Sequence, residues 1–421
     1  MRIRLDYGSE GLEVDLPDER VTIIEPSFVP AIDNPHAALI AELRAPIGRP
    51  PLRDIVRPGQ KIAISVCDIT RAQPREAMLR ALFEEMPGIN PNDITILIAT
   101  GTHRTNTRAE LEYMLGHNIL ANYTVINHDS RDDSSLAYVG DTKTGAPTYV
   151  NRNWLAADVR ITTGFVEPHF FAGFSGGAKM VAPGLAGLKT VLVLHDAKRI
   201  GSPNATWGVI DGNPVQDDIR EIARTTGVTF SIDVTLNRDQ EITGVFAGEL
   251  FAEHRQACLF SKKSVMYPVD SLFDVVLTTN SGYPLDQNLY QAVKGMSAAA
   301  KVIKPGGTIV CAAECRDGLP NHGSYGELLA SRPTAAALLD MINAPGFSRP
   351  DAWQVQVQAQ IVMKSKVLVK NSFMTDHEIR AAHFEPVHDI GKSVSAALNA
   401  AGPEATLGVL PQGPQTIPYL R

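Results

Sequence analysis

Short β-branched apolar runs alternate along this chain with longer stretches whose apolar residues return every three or four positions. The runs at 21–24, 61–66, 93–99, 123–127, 158–163, 228–236, 273–279 and 308–312 read as strands. The stretches at 75–85, 108–115, 214–224, 251–261 and 287–300 read as helices, and Thr107 with Glu110 forms a capping-box pattern ahead of the second. Strand–helix alternation predicts an α/β fold of Rossmann-like parallel sheets covered by helices. In such sheets ligands bind beyond the carboxyl ends of the strands, which directs attention to the loops at those ends.

At 421 residues the chain exceeds one ordinary core, so two domains are expected. The polar segment SKKSVMYP, from Ser261 to Pro268, reads as the joint. This divides the chain into an N-terminal α/β domain, 1–265, and a smaller C-terminal α/β domain, 266–421, whose proline-bearing tail could pack back on the first. The active site is expected in the cleft between them. No internal repeat or low-complexity segment interrupts the pattern.

Composition narrows the classes further. A 44% hydrophobic and 20% charged composition is that of a packed globular protein. The net charge of −7 comes without any lysine–arginine block, so neither nucleic acid nor an anionic membrane is an expected partner. The N-terminus lacks the apolar run of a signal peptide and no stretch has membrane-span length, so a cytoplasmic location is expected. Cys67, Cys258, Cys311 and Cys315 are scattered, and none forms a CxxC pair, so buried thiols are the expectation.

Five segments place reactive side chains after strand-like runs. The first ends in DITR, with Asp68 and Arg71; the guanidinium suits bidentate binding of a carboxylate, and a surface salt bridge to Asp68 is an equal alternative. The second, IATGTHRTNT, carries His103 where an α/β enzyme places a general base, though a lone histidine is more often structural. The third, GFVEPHFFAGFSGGAKMVAPG, holds Glu167, His169 and Lys179 among glycines that include Gly173, Gly176 and Gly177. Glycines let backbone approach a bulky ligand. The loop is not a Walker A, because Met180 stands directly after the lysine. A surface lysine is the bland alternative to a buried amine serving as a covalent anchor. The fourth, VLVLHD, closes an apolar run on His195, sixteen residues past Lys179 and a metal-ligand candidate of little weight alone. The fifth sets Gln287, Gln291 and Lys294 at helical spacing after a strand end, either facing substrate or forming a solvated face. His36, His117, His128, His254, His322, His377, His383 and His388 lack such company and read as structural or exposed.

DITR, ATGTHR, EPHFFAGFSGGAKMVAPG, VLVLHD and NLYQAVKG, in this order across 66–295, together resemble the nickel-dependent lactate racemase family of 2-hydroxyacid racemases and epimerases. The resemblance implies an isomerase that inverts C2 of a small 2-hydroxy acid by proton-coupled hydride transfer to a nickel-pincer nucleotide, a pyridinium-3-thioamide-5-thiocarboxylic acid mononucleotide. It implies that Lys179 carries this cofactor through a thioamide, with Gly176 and Gly177 beside it, and that His195 completes the nickel's ligand set. His103 and His169 match the two catalytic acid–bases. Arg71, Gln291 and Lys294 match substrate-holding residues, joined by Asp68 and Tyr290. Cofactor-assembly enzymes are the implied loading partners. Phe170, Phe171, Tyr290 and Trp353 are candidates for walls that select the substrate. The alternatives are the same cofactor acting on malate, an aryl-lactate or an aldonate, and a non-catalytic nickel or nucleotide carrier, which would need no paired histidines. A Rossmann-type oxidoreductase or methyltransferase carries little weight, since no GxGxxG comes after an early strand.

Overall fold

The computed structural model describes residues 1–27, 29–320 and 323–421; His322 lies outside the described residues. The chain forms two compact units, Phe28–His195 with Pro203–Ser264, and Met1–Ser27 with Asp196–Ser202 and Val265–Arg421.

The larger unit is built on a six-stranded sheet. Its order is Ile242–Gly248, Phe230–Leu236, Val159–Phe165, Ile62–Cys67, Ile94–Ala99, Thr124–Asn127. Only Ile242–Gly248 runs antiparallel, pairing with Phe230–Leu236. The chain begins at the centre with Ile62–Cys67, moves outward two strands, then returns to the other side with Val159–Phe165. The direction of progress thus reverses between those two central strands, and a doubly wound sheet opens a ligand crevice at that point. The central strand is buried at every position (IAISVC), as a strand covered on both faces must be. Helices Arg75–Glu84 and Arg108–Leu115 cover the sheet with Met78, Leu79, Leu82, Leu111, Met114 and Leu115 in one apolar cluster with Ile62, Ile64, Ile96 and Ile98. The capping box at Thr107 and Glu110 is formed.

The second unit has its own all-parallel six-stranded sheet, ordered Glu385–Val387, Lys366–Lys370, Ile303–Ala312, Phe273–Thr279, Leu407–Leu410, Val21–Ile23. Two segments expected to belong to the first domain, or to return to it, lie here instead. The N-terminus contributes Val21–Ile23 as an edge strand, and the tail supplies Leu407–Leu410 together with Ile417–Leu420, which pairs with Met266–Val269. Strand pairing is a long-range choice, and nothing in a three-residue apolar run names its partner.

Helix Leu289–Ala299 shows how closely this unit is packed. Gly295 meets the end of strand Phe273–Thr279 with no room for a side chain: a Cβ there would stand 1.9 Å from the Thr279 carbonyl oxygen. The Gly295 N–H is simultaneously fixed by the Asn280 side chain at 3.0 Å. Gly295→Ala should therefore destabilise the protein by about 2 kcal/mol or more through overpacking, measured by urea denaturation; an unchanged midpoint would mean the helix can move away from the strand at little cost.

Candidate active site

Two loops leave the central strands at the crevice. After Cys67 the chain turns at once, and the turn is held by Arg75, whose buried guanidinium donates to the carbonyls of Cys67 (2.7 Å), Arg71 (2.6 Å) and Asp68. Gln73 ties the two strand ends together. Its Oε1 accepts from the Cys67 N–H and its Nε2 donates to Thr163 Oγ1, each at 2.7 Å.

Asp68 is thereby held below the surface, only 2% exposed. Its Oδ2 accepts from His103 Nδ1 at 2.7 Å, and its Oδ1 accepts from Thr70 Oγ1 at 2.7 Å. Arg71 donates to Thr70 Oγ1 at 2.9 Å, continuing the chain. Burial pushes the Asp68 carboxyl up, but the hydrogen bond and charge of His103, with Arg71 and Thr70, carry it below the usual carboxylate range. A proton on His103 Nδ1 leaves the lone pair on Nε2, the tautomer a base requires. His103 itself is exposed, so this nitrogen is reachable.

The segment from Gly164 to Gly184 folds over the same strand ends. A two-residue β-bridge pairs Pro168 with Phe174 and His169 with Gly173. His169, half-buried, accepts on Nδ1 from the Ala172 N–H at 3.2 Å, so its neutral ring carries the proton on Nε2. Gly173 is required here, because φ is +79° and a Cβ would stand 2.0 Å from the Val209 carbonyl oxygen. The next turn, Gly177–Met180, seats on the sheet through Ser65 Oγ, which donates to the Met180 carbonyl at 2.7 Å. It presents Lys179 half-buried rather than fully buried. The ATGTHR loop joins by the Gly101 N–H, which donates to Gly184 O at 3.0 Å.

His195 is not at a strand end as expected. VLVL belongs to helix Leu188–Leu194, and His195 is its C-cap. A short apolar run does not distinguish a buried strand from a buried helix. The ring donates from Nδ1 to the Val191 carbonyl at 2.8 Å, which puts its lone pair on Nε2, the form in which a histidine binds metal. Phe171 links the two later histidines, its ring 4.5 Å from that of His169 and 5.1 Å from that of His195, both edge-on. Among the described residues no group of three or more His, Cys, Asp or Glu is arranged to hold a metal. A metal at His195 would thus need ligands that do not come from such a cluster.

Tyr290, Gln291 and Lys294 lie in the second unit, half-buried on helix Leu289–Ala299. Gln287 falls outside that helix, before the Asn288 N-cap whose side chain accepts from the Gln291 N–H at 3.0 Å. Phe170 and Phe171 are buried beside His169, whereas Trp353 is on helix Ala352–Lys364 of the second unit.

Two residues of the site region were not singled out as site residues from the sequence. Asp233, on strand Phe230–Leu236, accepts from the Gly177 N–H at 2.7 Å. His254, expected to be a structural or exposed histidine, is buried and donates from Nε2 to the Ser175 carbonyl at 2.8 Å. An acidic residue at the middle of a β-branched run was the one available clue to the first.

With this geometry in view, the relatives are informative. Residues 7–208 match the lactate racemase N-terminal domain and 269–417 the lactate racemase C-terminal domain. The chain is 32% identical over 420 residues to a lactate racemase of Thermoanaerobacterium thermosaccharolyticum, covering 99% of this chain and 98% of the relative. It is 37% identical over 370 residues to that of Lactiplantibacillus plantarum, covering 87% of each. The lactate racemase apoprotein structure from T. thermosaccharolyticum superposes with a TM-score of 0.92 at 31% identity, covering both chains completely. The fold and the matches define an enzyme of the isomerase class. The chain belongs to the lactate racemase family.

The Asp68–His103 pair has a consequence for stability. Because the folded-state carboxyl titrates below its ordinary range, the stabilisation it contributes is present above that range and is lost as pH falls through the folded value. Asp68→Asn should cost about 1.5 kcal/mol or more near neutrality, and progressively less as the pH falls below the ordinary carboxylate range. Urea denaturation across this range tests it, and a pH-independent difference would refute a role for the carboxylate charge.

Proposed function

We propose that this protein racemises a small 2-hydroxy acid, lactate in the first instance, with Lys179 carrying a nickel-pincer nucleotide and His103 and His169 moving the substrate's hydroxyl proton. The observation that carries the reading is the gathering of the 67–71, 100–104 and 164–184 loops around one strand reversal, in a chain related over nearly its whole length to lactate racemases. The residues present suit such a group. Lys179 stands on a glycine-lined turn, and His195 has the tautomer for a metal.

When bound, the nucleotide supplies a hydride acceptor and donor for the substrate's C2. The protein's own part is proton handling and orientation. His103 Nε2, made basic by the Asp68 hydrogen bond to Nδ1, takes the hydroxyl proton of one enantiomer. Arg71 offers a fork of donors for the substrate carboxylate. His169 serves the opposite enantiomer. To act as a base it must carry its proton on Nδ1, so the contact with the Ala172 N–H has to open during turnover. Loss of the hydroxyl proton together with hydride leaves a neutral ketone beside the carboxylate, avoiding the poorly stabilised carbanion that direct C2 deprotonation would make. The carrier alternative leaves the Asp68–His103 pair without a task, and the substrate alternatives within the family differ only in the walls that meet the side chain.

Three measurements test this reading. Protein produced with the cofactor-assembly enzymes should exceed the chain mass by one nucleotide adduct, and Lys179→Ala should lack it; an adduct that persists in the variant excludes the anchor. Lactate deuterated at C2 should react more slowly and keep its label in the inverted product. Label exchanging with solvent as fast as inversion would indicate a two-base carbanion route instead. His103→Ala should lower turnover by ~10²-fold or more, in the range for loss of a general base.

A further inference from the structure

Beneath the lysine turn lies a buried polar group that the catalytic scheme does not use. Asp233 and Ser231 are two apart on strand Phe230–Leu236 and so share a face of the sheet. Ser231 Oγ donates to Glu253 Oε1 at 2.5 Å and accepts from Thr162 Oγ1 at 2.9 Å. Glu253 and His254 come from helix Leu250–Val265. Asp233, Ser231 and Glu253 are completely inaccessible to solvent, and His254 is 7% exposed. Asp233 Oδ1 and Glu253 Oε2 have no hydrogen-bond partner among the described residues.

A stretch of three residues receives both inner contacts. His254 Nε2 donates to the Ser175 carbonyl, and Asp233 Oδ2 accepts from the Gly177 N–H, so one peptide group on each side of Gly176 is fixed from below. The same side chains leave no space above them. A Cβ at Gly176 would stand 2.8 Å from Asp233 Oδ2, and one at Gly177 would stand 2.6 Å from the His254 ring. Both glycines also have positive φ, +74° and +52°, a conformation unfavourable to other residues.

We infer that Asp233 and His254 are positioning residues for the anchoring lysine: together they clamp the Ser175–Gly177 turn, two residues ahead of Lys179, in the one conformation that delivers its amine to the cofactor. The inference rests on the reading of Lys179 as the anchor. Burial disfavours charge at both clamp residues: it holds the His254 imidazole down to about 4 and pushes the Asp233 carboxyl up, offset in part by the Gly177 hydrogen bond. Glu253 is driven up by burial and then by the neighbouring Asp233. Cys258 Sγ lies 3.8 Å from His254 Nδ1 and adds a further neutral group to this interior. Neutral amides should therefore replace both clamp residues: Asn keeps the acceptor for Gly177, and Gln keeps a donor for Ser175.

The test compares Asp233→Ala and His254→Ala with Asp233→Asn and His254→Gln in the full chain. Amide hydrogen exchange of the 173–181 segment is followed in the apoprotein, and adduct mass is followed after production with the cofactor-assembly enzymes. The alanine variants should exchange this segment about tenfold faster or more, reflecting local opening, with a matching loss of adduct. The amide variants should restore both. Unchanged exchange and full adduct in the alanine variants would overturn the inference, as would amide variants as defective in loading as alanine with exchange unaltered. If Asp233→Ala does not fold, His254→Ala carries the same comparison. A wild-type protein lacking any adduct on Lys179 would instead defeat the anchor reading, and the exchange difference would still decide whether the clamp exists.

Discussion

At three of its glycines the backbone of the 164–184 segment lies so close to its neighbours that no side chain fits. A Cβ at Gly164 would meet Asp233 at 2.6 Å, at Gly177 the His254 ring at 2.6 Å, and at Gly184 the Ala99 side chain at 2.9 Å. This close approach dictates the hydrogen bonding of the whole segment. The Met180 carbonyl reaches Ser65 on the central strand, the Gly184 carbonyl reaches Gly101, and the Gly177 N–H reaches Asp233. Each is a backbone group withdrawn from water that must find a partner, and each partner lies on a different strand or its loop. The lysine turn is therefore positioned by its tertiary neighbours, on the sheet and on helix Leu250–Val265, rather than by its own local preference.

The three histidines of the site are each prepared by a different neighbour at Nδ1. A carboxylate accepts from His103, a helix carbonyl accepts from His195, and a backbone N–H donates to His169. Because neutral imidazole carries one proton, the bond at one nitrogen determines what the other can do. His103 and His195 are left with a lone pair on Nε2, and His169 with a proton. One residue type thus presents an acceptor nitrogen at Nε2 in two rings and a donor there in the third, all within one unit and distinguished by what stands behind each ring.

Much of the architecture was legible in the chain. The central strands and several helices, including strand Phe273–Thr279 and helix Arg108–Leu115, carry hydrophobic periodicities strong enough to locate them within a residue or two. The capping box at Thr107 and the motif loops after strand ends were likewise readable, because each depends on residues close together in sequence. Where the signal was short, it misled. The VLVL run is helical, Gln287 precedes its helix, and the N-terminal and C-terminal strands join the second unit's sheet.

The sequence by itself determined which chemical groups the chain possesses and where along it they fall: a lysine among glycines, histidines in loops, and alternating strands and helices that predict parallel sheets covered by helices. Only the tertiary structure decided that Asp68 would stand behind His103, that Phe171 would bridge His169 and His195, and that Asp233 and His254 would support the turn of Lys179. Glycine spacing and strand periodicity are local properties, repeated every few residues and visible in any window. The partner of a buried carboxyl or imidazole is chosen by packing between segments tens of residues apart, where loss of water makes each unsatisfied polar group costly and leaves few arrangements that satisfy them together.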